Sequence, residues 1–204
     1  MLKVGLTGNI AAGKSTVVRV WRSLGASVVD ADELARRAVE PGSEGLRRIV
    51  DTWGPGVLDP DGALDRAALR RIVFADAGAR ARLEEIVHPA VYALREGEYR
   101  RAEESGELLV VADIPLLFET GLADEFDVLV LVEAPEAARE RRLVADRGLD
   151  PEEARRMIAA QMPSELKHAR ADVVVENDGS VAELEARARE VWDELVRRAE
   201  AVRG

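Results

Sequence analysis

Cysteine is absent from this chain of 204 residues, and histidine occurs only at His88 and His168. The absence of cysteine excludes disulfide bonds, cysteine-ligated metals and thiol catalysis. Two histidines argue against a structural zinc site as well, because such a site needs four cysteine or histidine ligands. The chemistry of the protein must therefore come from other side chains.

The chain also lacks a basic surplus and a long apolar segment. Its net charge is −10 at pH 7, which argues against a general nucleic-acid-binding face. No apolar run is long enough to cross a bilayer, and no basic region with an apolar stretch precedes the first strand pattern. We expect a cytoplasmic protein without nucleic-acid or membrane partners. Clustered arginines can still bind phosphate on an acidic protein, and all but three of the 29 basic residues are arginine.

Five short runs rich in valine and leucine are nearly continuous rather than alternating, as strands covered on both faces of a parallel sheet are. Helical patterns separate them. The sequence therefore predicts an α/β fold with a five-stranded, mainly parallel sheet between helical layers. The predicted strands are Leu2–Thr7, Ser27–Asp30, Leu108–Asp113, Asp127–Val132 and Asp172–Glu176.

Two helical excursions interrupt the predicted nucleotide-binding core, which comprises residues 1–30, 108–138 and 171–204. Residues 31–107 show no convincing strand and predict a helical substrate-binding insertion. Residues 139–170 predict a smaller, mobile lid. The predicted helices of the insertion are Glu33–Val39, Glu44–Trp53, Asp65–Phe74, Ala77–Val87 and Pro89–Glu104.

The segment GNIAAGKS at residues 8–15 satisfies the phosphate-binding P-loop pattern through Gly8, Gly13, Lys14 and Ser15. A hydrophobic strand pattern precedes it and an amphipathic helix pattern follows. In this context N–H groups converge on nucleotide phosphates, Lys14 reaches the β- and γ-phosphates, and Ser15 is placed to bind Mg²⁺. The sequence therefore predicts an ATP-dependent small-molecule kinase.

Asp113 ends the apolar run LLVVAD, as a Walker B aspartate does, where it would bind the metal or position the acceptor. It could alternatively be a solvated or capping aspartate at a strand end. Ile114 follows it, whereas motor-type ATPases usually place a glutamate there, so ATP hydrolysis is disfavoured as the main activity. The chain has no Asn-Lys-x-Asp signature of a GTPase.

Asp30 and Asp32 follow the second predicted strand, whose carboxyl end faces the ligand crevice of a parallel sheet. A carboxylate there can orient an acceptor hydroxyl and take its proton. Either aspartate can alternatively cap the helix that follows. Guanidinium groups of the second excursion can stabilise charge on the transferring phosphoryl group, although most such arginines lie on solvated helix faces. These arginines are Arg139, Arg141, Arg142, Arg147, Arg155 and Arg156.

Together these segments resemble the dephospho-CoA kinase family from about residue 3 to about residue 195. The motifs that carry the resemblance are VGLTGNIAAGKST, VVDADELARRAVEPGS, the stretch Asp61–Leu69, IVHP, DIPLLFETGL, Gln161–Pro163 and Asn177–Ser180. The resemblance implies a P-loop kinase core with a helical CoA-binding insertion and a lid. It also implies phosphorylation, by ATP with Mg²⁺, of the ribose 3′-hydroxyl of dephospho-CoA.

The resemblance further implies roles for single residues. Asp32 would be the base near the acceptor hydroxyl, Arg142 would contact ATP from the lid, and Asn177 would lie near the nucleotide base. The ATP phosphates would contact Ala11, Ala12, Gly13, Lys14, Ser15 and Thr16. The dephospho-CoA side would be lined by Arg66, His88, Pro115, Leu116, Leu117 and Phe118.

The chain departs from the family pattern in the P-loop and in the lid. Asn9 and Ala11 stand where the usual loop GGIGSGKS has glycine, and Ala11 requires that its position not need a positive φ. Residues 146–148 read Asp-Arg-Gly instead of the common Arg-Asp-Gly. The lid arginine is therefore displaced or replaced, and the role of Arg147 stays open.

Two other functions remain open from the residues alone. The P-loop identifies the donor and not the acceptor, so a nucleoside-monophosphate acceptor is a second possibility. The arginines that would suit its phosphate are Arg36, Arg37, Arg66, Arg70 and Arg71. A nucleotide-dependent regulatory protein, which binds ATP without useful transfer, is the third. The sequence decides neither the oligomeric state nor the choice between ATP and GTP.

Overall fold

The computed structural model describes residues 1–203 and contains one five-stranded sheet. The strands are β1 (Leu2–Gly8), β2 (Ser27–Asp30), β3 (Leu109–Asp113), β4 (Val128–Glu133) and β5 (Val173–Glu176), in the spatial order β2-β3-β1-β4-β5. β1 pairs in parallel with β3 and β4, and β4 pairs in parallel with β5. The predicted α/β fold is confirmed, and no predicted strand end is wrong by more than one residue.

Helices fill the connections between the strands. They are α1 (Lys14–Ser23), α2 (Ala31–Arg37), α3 (Glu44–Trp53), α4 (Arg66–Ala75), α5 (Ala77–Glu104), α6 (Glu136–Arg147), α7 (Pro151–Ala159), α8 (Ser164–His168) and α9 (Val181–Arg203). Short 3-10 helices cover Pro55–Val57 and Ala123–Glu125. Within residues 1–203, no helix has the length and apolar character that spanning a membrane requires.

The predicted break between two helices at His88 is wrong, because α5 continues from Ala77 to Glu104 with Pro89 inside it. An internal proline removes one helical hydrogen bond and favours a kink. Ile86 before the proline and Leu94 after it pack against the same apolar cluster. Tertiary packing therefore keeps both halves in one helix, against the local preference of the sequence.

The chain packs as two compact units, the first made of Met1–Val29 with the chain from Ala102 onward, and the second of Asp30–Arg101. In the first unit, the apolar strands pack against α1 and α9. Trp21 of α1 is fully buried there, and its indole Nε1 donates a hydrogen bond of 2.7 Å to the carbonyl oxygen of Ala188. Strands β1 and β4 are buried along most of their length, as a covered parallel sheet requires.

The second unit has a small core of its own. Its buried members are Ala38, Val39, Ile49, Val57, Leu69 and Ile86. Ser43 caps α3 by accepting the N–H of Leu46, and Asp65 caps α4 by accepting the N–H groups of Ala67 and Ala68. These local caps explain why α3 begins at the predicted residue and why α4 begins one residue after the predicted Asp65. The predicted division into core, insertion and lid stays a prediction.

Candidate functional site

The turn from β1 into α1 has the backbone of an anion-binding site. Gly8 ends β1, and Gly13 precedes α1 with φ of 100°, a left-handed conformation that glycine adopts without strain. No side chain caps this helix, and the first N–H groups of a helix have no acceptor within it. The N–H groups of Lys14 and Ser15, together with the positive end of the helix dipole, are therefore suited to phosphate.

Asn177 closes one side of this loop. Its Nδ2 donates a hydrogen bond of 2.7 Å to the carbonyl oxygen of Ala12, and the residue is buried. A Cβ atom added to Gly13 would overlap the amide nitrogen of Asn177 and lie 3.0 Å from Cδ2 of Leu184. Position 13 therefore needs glycine for its space as well as for its conformation.

Ala11 has φ of 56° and is the only non-glycine residue with a positive φ in the described chain. The expectation that its position does not need a positive φ is therefore wrong. This conformation costs an L-residue about 1–2 kcal/mol. Arg142 Nη1 donates a hydrogen bond of 3.0 Å to the carbonyl oxygen of Ala11, whose side chain packs in a cluster with Leu143 and Ile158. These contacts with α6 and α7 hold Ala11 in place.

Lys14 and Asp113 form an ion pair at the carboxyl edge of the sheet, where the Lys14 ammonium contacts Oδ1 of Asp113. The pair forms because β1 and β3 are parallel neighbours, so that both strands end at this edge. The Asp113 side chain is only 9% exposed. Asp113 is thus a buried partner of the P-loop lysine and not a solvated strand end.

The oxygen ligands near the P-loop are few. Ser15 is exposed at the start of α1, and residues 1–203 contain no cluster of three or more acidic or histidine side chains that could hold a metal ion. Hydroxyl and carboxylate oxygens suit Mg²⁺, which usually takes one or two protein ligands and completes its shell with phosphate oxygens and water. Ser15 and Asp113 therefore fit a magnesium ion that arrives with a nucleotide.

The segment that joins α7 to α8 also contacts the P-loop. Oε1 of Gln161 accepts the backbone N–H of Ile10 at 2.8 Å, and Oγ of Ser164 accepts a hydrogen bond of 2.8 Å from Nδ2 of Asn9. Neither Gln161 nor Ser164 was predicted as a site residue. The Gln-Met-Pro motif was the available signal, but a contact with a residue 151 positions away has no signature in periodicity.

The loop after β3 carries four of the residues predicted to line the acceptor side. Leu117 is fully buried, and Phe118 is 3% exposed beneath the guanidinium of Arg170, which lies 5.0 Å from its ring centroid. Leu116 is 46% exposed and Pro115 is half-buried. Leu116 and Pro115 are therefore accessible in this structure, whereas Leu117 and Phe118 support the loop from within.

Asp30 and Asp32 have different surroundings in the second unit. Oδ1 of Asp30 accepts the N–H groups of Asp32 at 2.8 Å and Glu33 at 3.0 Å, which makes Asp30 the cap of α2. Asp32 is exposed in the first turn of α2, and its carboxylate has no hydrogen-bond or ion-pair partner among residues 1–203. Of the two carboxylates, that of Asp32 is the one available for chemistry.

Arg66 lies at the start of α4 in the second unit, on a groove of about 330 Å³ with largely apolar walls. Arg70 and the 82% exposed Phe74 line the same groove. His88 is exposed on α5 and is not among the residues that line it. The structure therefore brings Arg66 and Arg70 to the same groove, whereas His88 does not line it.

A pocket of about 360 Å³ lies where β4 and β5 end in the first unit. Asn177 forms part of its wall, and because Asn177 bonds to Ala12, the pocket adjoins the P-loop. Its volume is that of a small-ligand site. Arg139 and Ser164 line it as well, although neither was predicted to lie near the nucleotide base.

Known proteins resemble this chain in both sequence and architecture. The profile of a family described as dephospho-CoA kinase matches residues 2–183. The chain is 48% identical over 198 residues to a dephospho-CoA kinase of Thermobifida fusca. The aligned region covers 97% of this chain and 98% of that relative.

Two solved structures resemble the fold closely. A Thermus thermophilus protein is 43% identical with a TM-score of 0.79, covering 95% of this chain and 97% of the other. The dephospho-CoA kinase of Campylobacter jejuni is 25% identical with a TM-score of 0.75, covering 96% of this chain and 97% of the other. The chain thus belongs to the dephospho-CoA kinase family, the kinases that catalyse the last step of coenzyme A synthesis.

Proposed function

We propose that this chain transfers the γ-phosphoryl group of MgATP to the ribose 3′-hydroxyl of dephospho-CoA, releasing ADP. The observation that carries the proposal is the uncapped N-terminus of α1 beside the Lys14–Asp113 pair, in a chain of this family. The helix end would bind the phosphates, and Lys14 would neutralise charge on the β- and γ-phosphates. Ser15 and Asp113 would hold Mg²⁺, which supplies further charge neutralisation when bound.

Asp32 would orient the acceptor hydroxyl and take its proton. A base in this reaction needs a carboxylate that is not already engaged, and the capping bonds of Asp30 leave Asp32 as that group. Phosphoryl transfer needs little covalent help, so this contribution is mainly positioning and proton removal, worth about 10²- to 10⁴-fold in rate.

Four side chains would bind the acceptor. Arg66 and Arg70 offer positive charge for its diphosphate, beside apolar groove walls. Pro115 and the exposed Leu116 offer apolar surface on the loop after β3. Contacts of Leu117, Phe118 and His88 with the acceptor stay predictions.

Arg142 would be the lid arginine. Its guanidinium donates to the carbonyl oxygen of Ala11, so it already lies at the phosphate-binding loop. With ATP present, the same group would stabilise charge on the transferring phosphoryl group, and the lid would exclude water and limit ATP hydrolysis. The cytoplasmic location stays a prediction.

A transfer assay with MgATP and dephospho-CoA, read by product mass and ADP release, tests the proposal. We expect a product one phosphate heavier, and a 10²- to 10⁴-fold loss of kcat in Asp32→Asn, about the range for a general base. Asp30→Asn is the matched control, because asparagine also caps helices and should keep both fold and activity. ADP release without the heavier product, or a preference for a nucleoside monophosphate, would contradict the proposed acceptor.

A further inference from the structure

Lys167 of α8 is a completely buried cation whose position depends on one carboxylate. Its ammonium nitrogen lies 2.7 Å from Oε1 of Glu119, and within residues 1–203 no other carboxylate forms an ion pair with it. A lysine is almost never buried so fully unless it is paired, because a buried charge without a partner destabilises the fold strongly. Glu119 and α8 therefore cannot move apart without a large cost in free energy.

Glu119 lies in the loop after β3, the loop that also carries Pro115 and Leu116. The neighbouring Thr120 donates twice to the carbonyl oxygen of Leu116, from its backbone N–H at 2.9 Å and from its hydroxyl at 2.8 Å. The hydroxyl of Thr7 in β1 donates to the carbonyl oxygen of Pro115 at 3.2 Å. The loop is thus a compact turn, and a displacement of Glu119 is passed on to the exposed Leu116.

A second contact joins the same loop to the end of α8. The guanidinium of Arg170, which follows α8, lies 5.0 Å from the ring centroid of Phe118. A cation over an aromatic face is attracted by the negative charge of that face. Because Phe118 and Glu119 are adjacent in the chain, the two contacts fix the orientation of the loop on α8 as well as its distance.

The other end of this segment contacts the P-loop. Oγ of Ser164, the first residue of α8, accepts a hydrogen bond of 2.8 Å from Nδ2 of Asn9. Oε1 of Gln161 accepts the N–H of Ile10 at 2.8 Å. Ser164 and Lys167 belong to one helix and are separated by about 4.5 Å along its axis. Residues 161–170 therefore form one short bridge between the P-loop and the loop after β3.

We propose that Glu119 and Lys167 are positioning residues that set the distance between the bound donor and the bound acceptor. The inference rests on the proposed function, in which the P-loop binds the phosphates of ATP and the loop after β3 contacts the acceptor. The pair acts through α8 and needs no contact with either substrate. Phosphoryl transfer depends mainly on positioning and charge stabilisation, and a misplacement of about 1 Å lowers such a rate about 100-fold.

The double variant Glu119→Gln/Lys167→Met tests this role, because it removes both charges and leaves neither buried without a partner. With MgATP and dephospho-CoA, we expect kcat for transfer to fall about tenfold or more. The amount of ADP formed per phosphorylated product should rise above one, because water then takes the γ-phosphoryl group that a misplaced acceptor fails to take. ATP affinity, measured by calorimetry, should be unchanged, because the N–H groups at the start of α1 stay intact. Partial unfolding would lower kcat but leave the ADP ratio at one.

Arg170→Ala removes the second contact at an exposed residue, so it should also raise the ADP ratio, and it decides alone if the double variant does not fold. Arg19→Met/Glu185→Gln is the matched control, since it removes an exposed ion pair of 2.8 Å between α1 and α9 and should leave kcat and the ratio unchanged.

A wild-type kcat and ADP ratio in the double variant, or a lower kcat with a ratio of one, would overturn the inference in favour of a purely structural pair. If the wild type does not phosphorylate dephospho-CoA, the proposed function itself fails.

Discussion

Oε1 of Glu119 lies 2.7 Å from the ammonium nitrogen of Lys167, whose side chain is completely buried. The contact is an ion pair and not an aligned hydrogen bond. The same oxygen accepts the N–H of Met162 at 3.3 Å. Because Glu119 lies in the loop after β3 and Lys167 lies in α8, this one carboxylate ties that loop to α8 and to Met162 in the segment that contacts the P-loop.

Replacing Glu119 should destabilise the protein strongly, because Lys167 would be left buried and unpaired. We expect Glu119→Gln to lower the free energy of unfolding by about 3 kcal/mol, the low end for a broken buried pair, since Glu119 keeps 22% exposure. The double variant with Lys167→Met should regain much of that loss. Urea unfolding of the single and double variants measures both effects. If the single and the double variant were equally stable, the ion pair between Glu119 and Lys167 would not be what stabilises this region.

Removing the Lys14 ammonium should reduce catalysis and also lower stability, because the largely buried Asp113 carboxylate loses this ion pair. We expect Lys14→Met to lower kcat about 10²- to 10³-fold, as the loss of one preorganised charge contact in a transition state does. Arg22→Met is a matched control, because it removes an exposed cation near the other end of α1. Single-turnover rates, with circular dichroism to check folding, provide the measurement. A similar loss in both variants would point to general electrostatics.

Gly13 in the P-loop and Gly25 after α1 have nearly the same φ, so substituting each one distinguishes backbone strain from steric overlap of a Cβ atom. Gly13 has φ of 100° and no room for a Cβ beside Asn177, whereas Gly25 has φ of 94° and nothing within 4 Å of a Cβ. Gly25→Ala should therefore lose only the conformational term, about 1–2 kcal/mol. Gly13→Ala should lose more stability and also nucleotide binding. Thermal unfolding and ATP titration test both, and equal destabilisation would contradict the predicted overlap.

The stability contributed by Glu98 should depend on pH. Hydrogen bonds from Arg37 at 2.6 Å and from Arg101 lower the pKa of Glu98, the larger effect coming from Arg37. Because this pKa is lower in the folded state than in the unfolded state, the interaction stabilises the fold at any pH above the ordinary pKa of a carboxyl group. The stabilisation is lost as the pH falls through the lowered pKa. Glu98→Gln should therefore lower Tm at neutral pH and converge with the wild type in acid. A Tm difference between Glu98→Gln and the wild type that stayed constant with pH would contradict the role of the ion pair.

The sequence was sufficient to predict the sheet and the turn between β1 and α1. Apolar runs in β1, β3 and β4 predicted buried parallel strands, and the spacing of Gly8, Gly13 and Lys14 predicted the phosphate-binding turn between a strand and a helix. Both signals are local, because strand burial is written in neighbouring residues and the P-loop is one continuous turn.

The sequence alone could not assign the roles of Asp30 and Asp32. Both carboxylates stand within reach of the first turn of α2, so pattern alone could not say which one caps it. The backbone turn at the end of β2 directs Asp30 toward the helix N–H groups and leaves Asp32 exposed. The structure therefore distinguished the cap from the candidate base.

Only the tertiary structure decided the pairings between distant segments. The order of strands brings Asp113 to Lys14, and the packing of α6 and α7 fixes Ala11 in its left-handed conformation. Packing likewise keeps α5 continuous through Pro89 and buries Arg139 without an ion-pair partner among residues 1–203. None of these features has a local signature, because each depends on side chains that are far apart in the chain and meet only when the elements are packed.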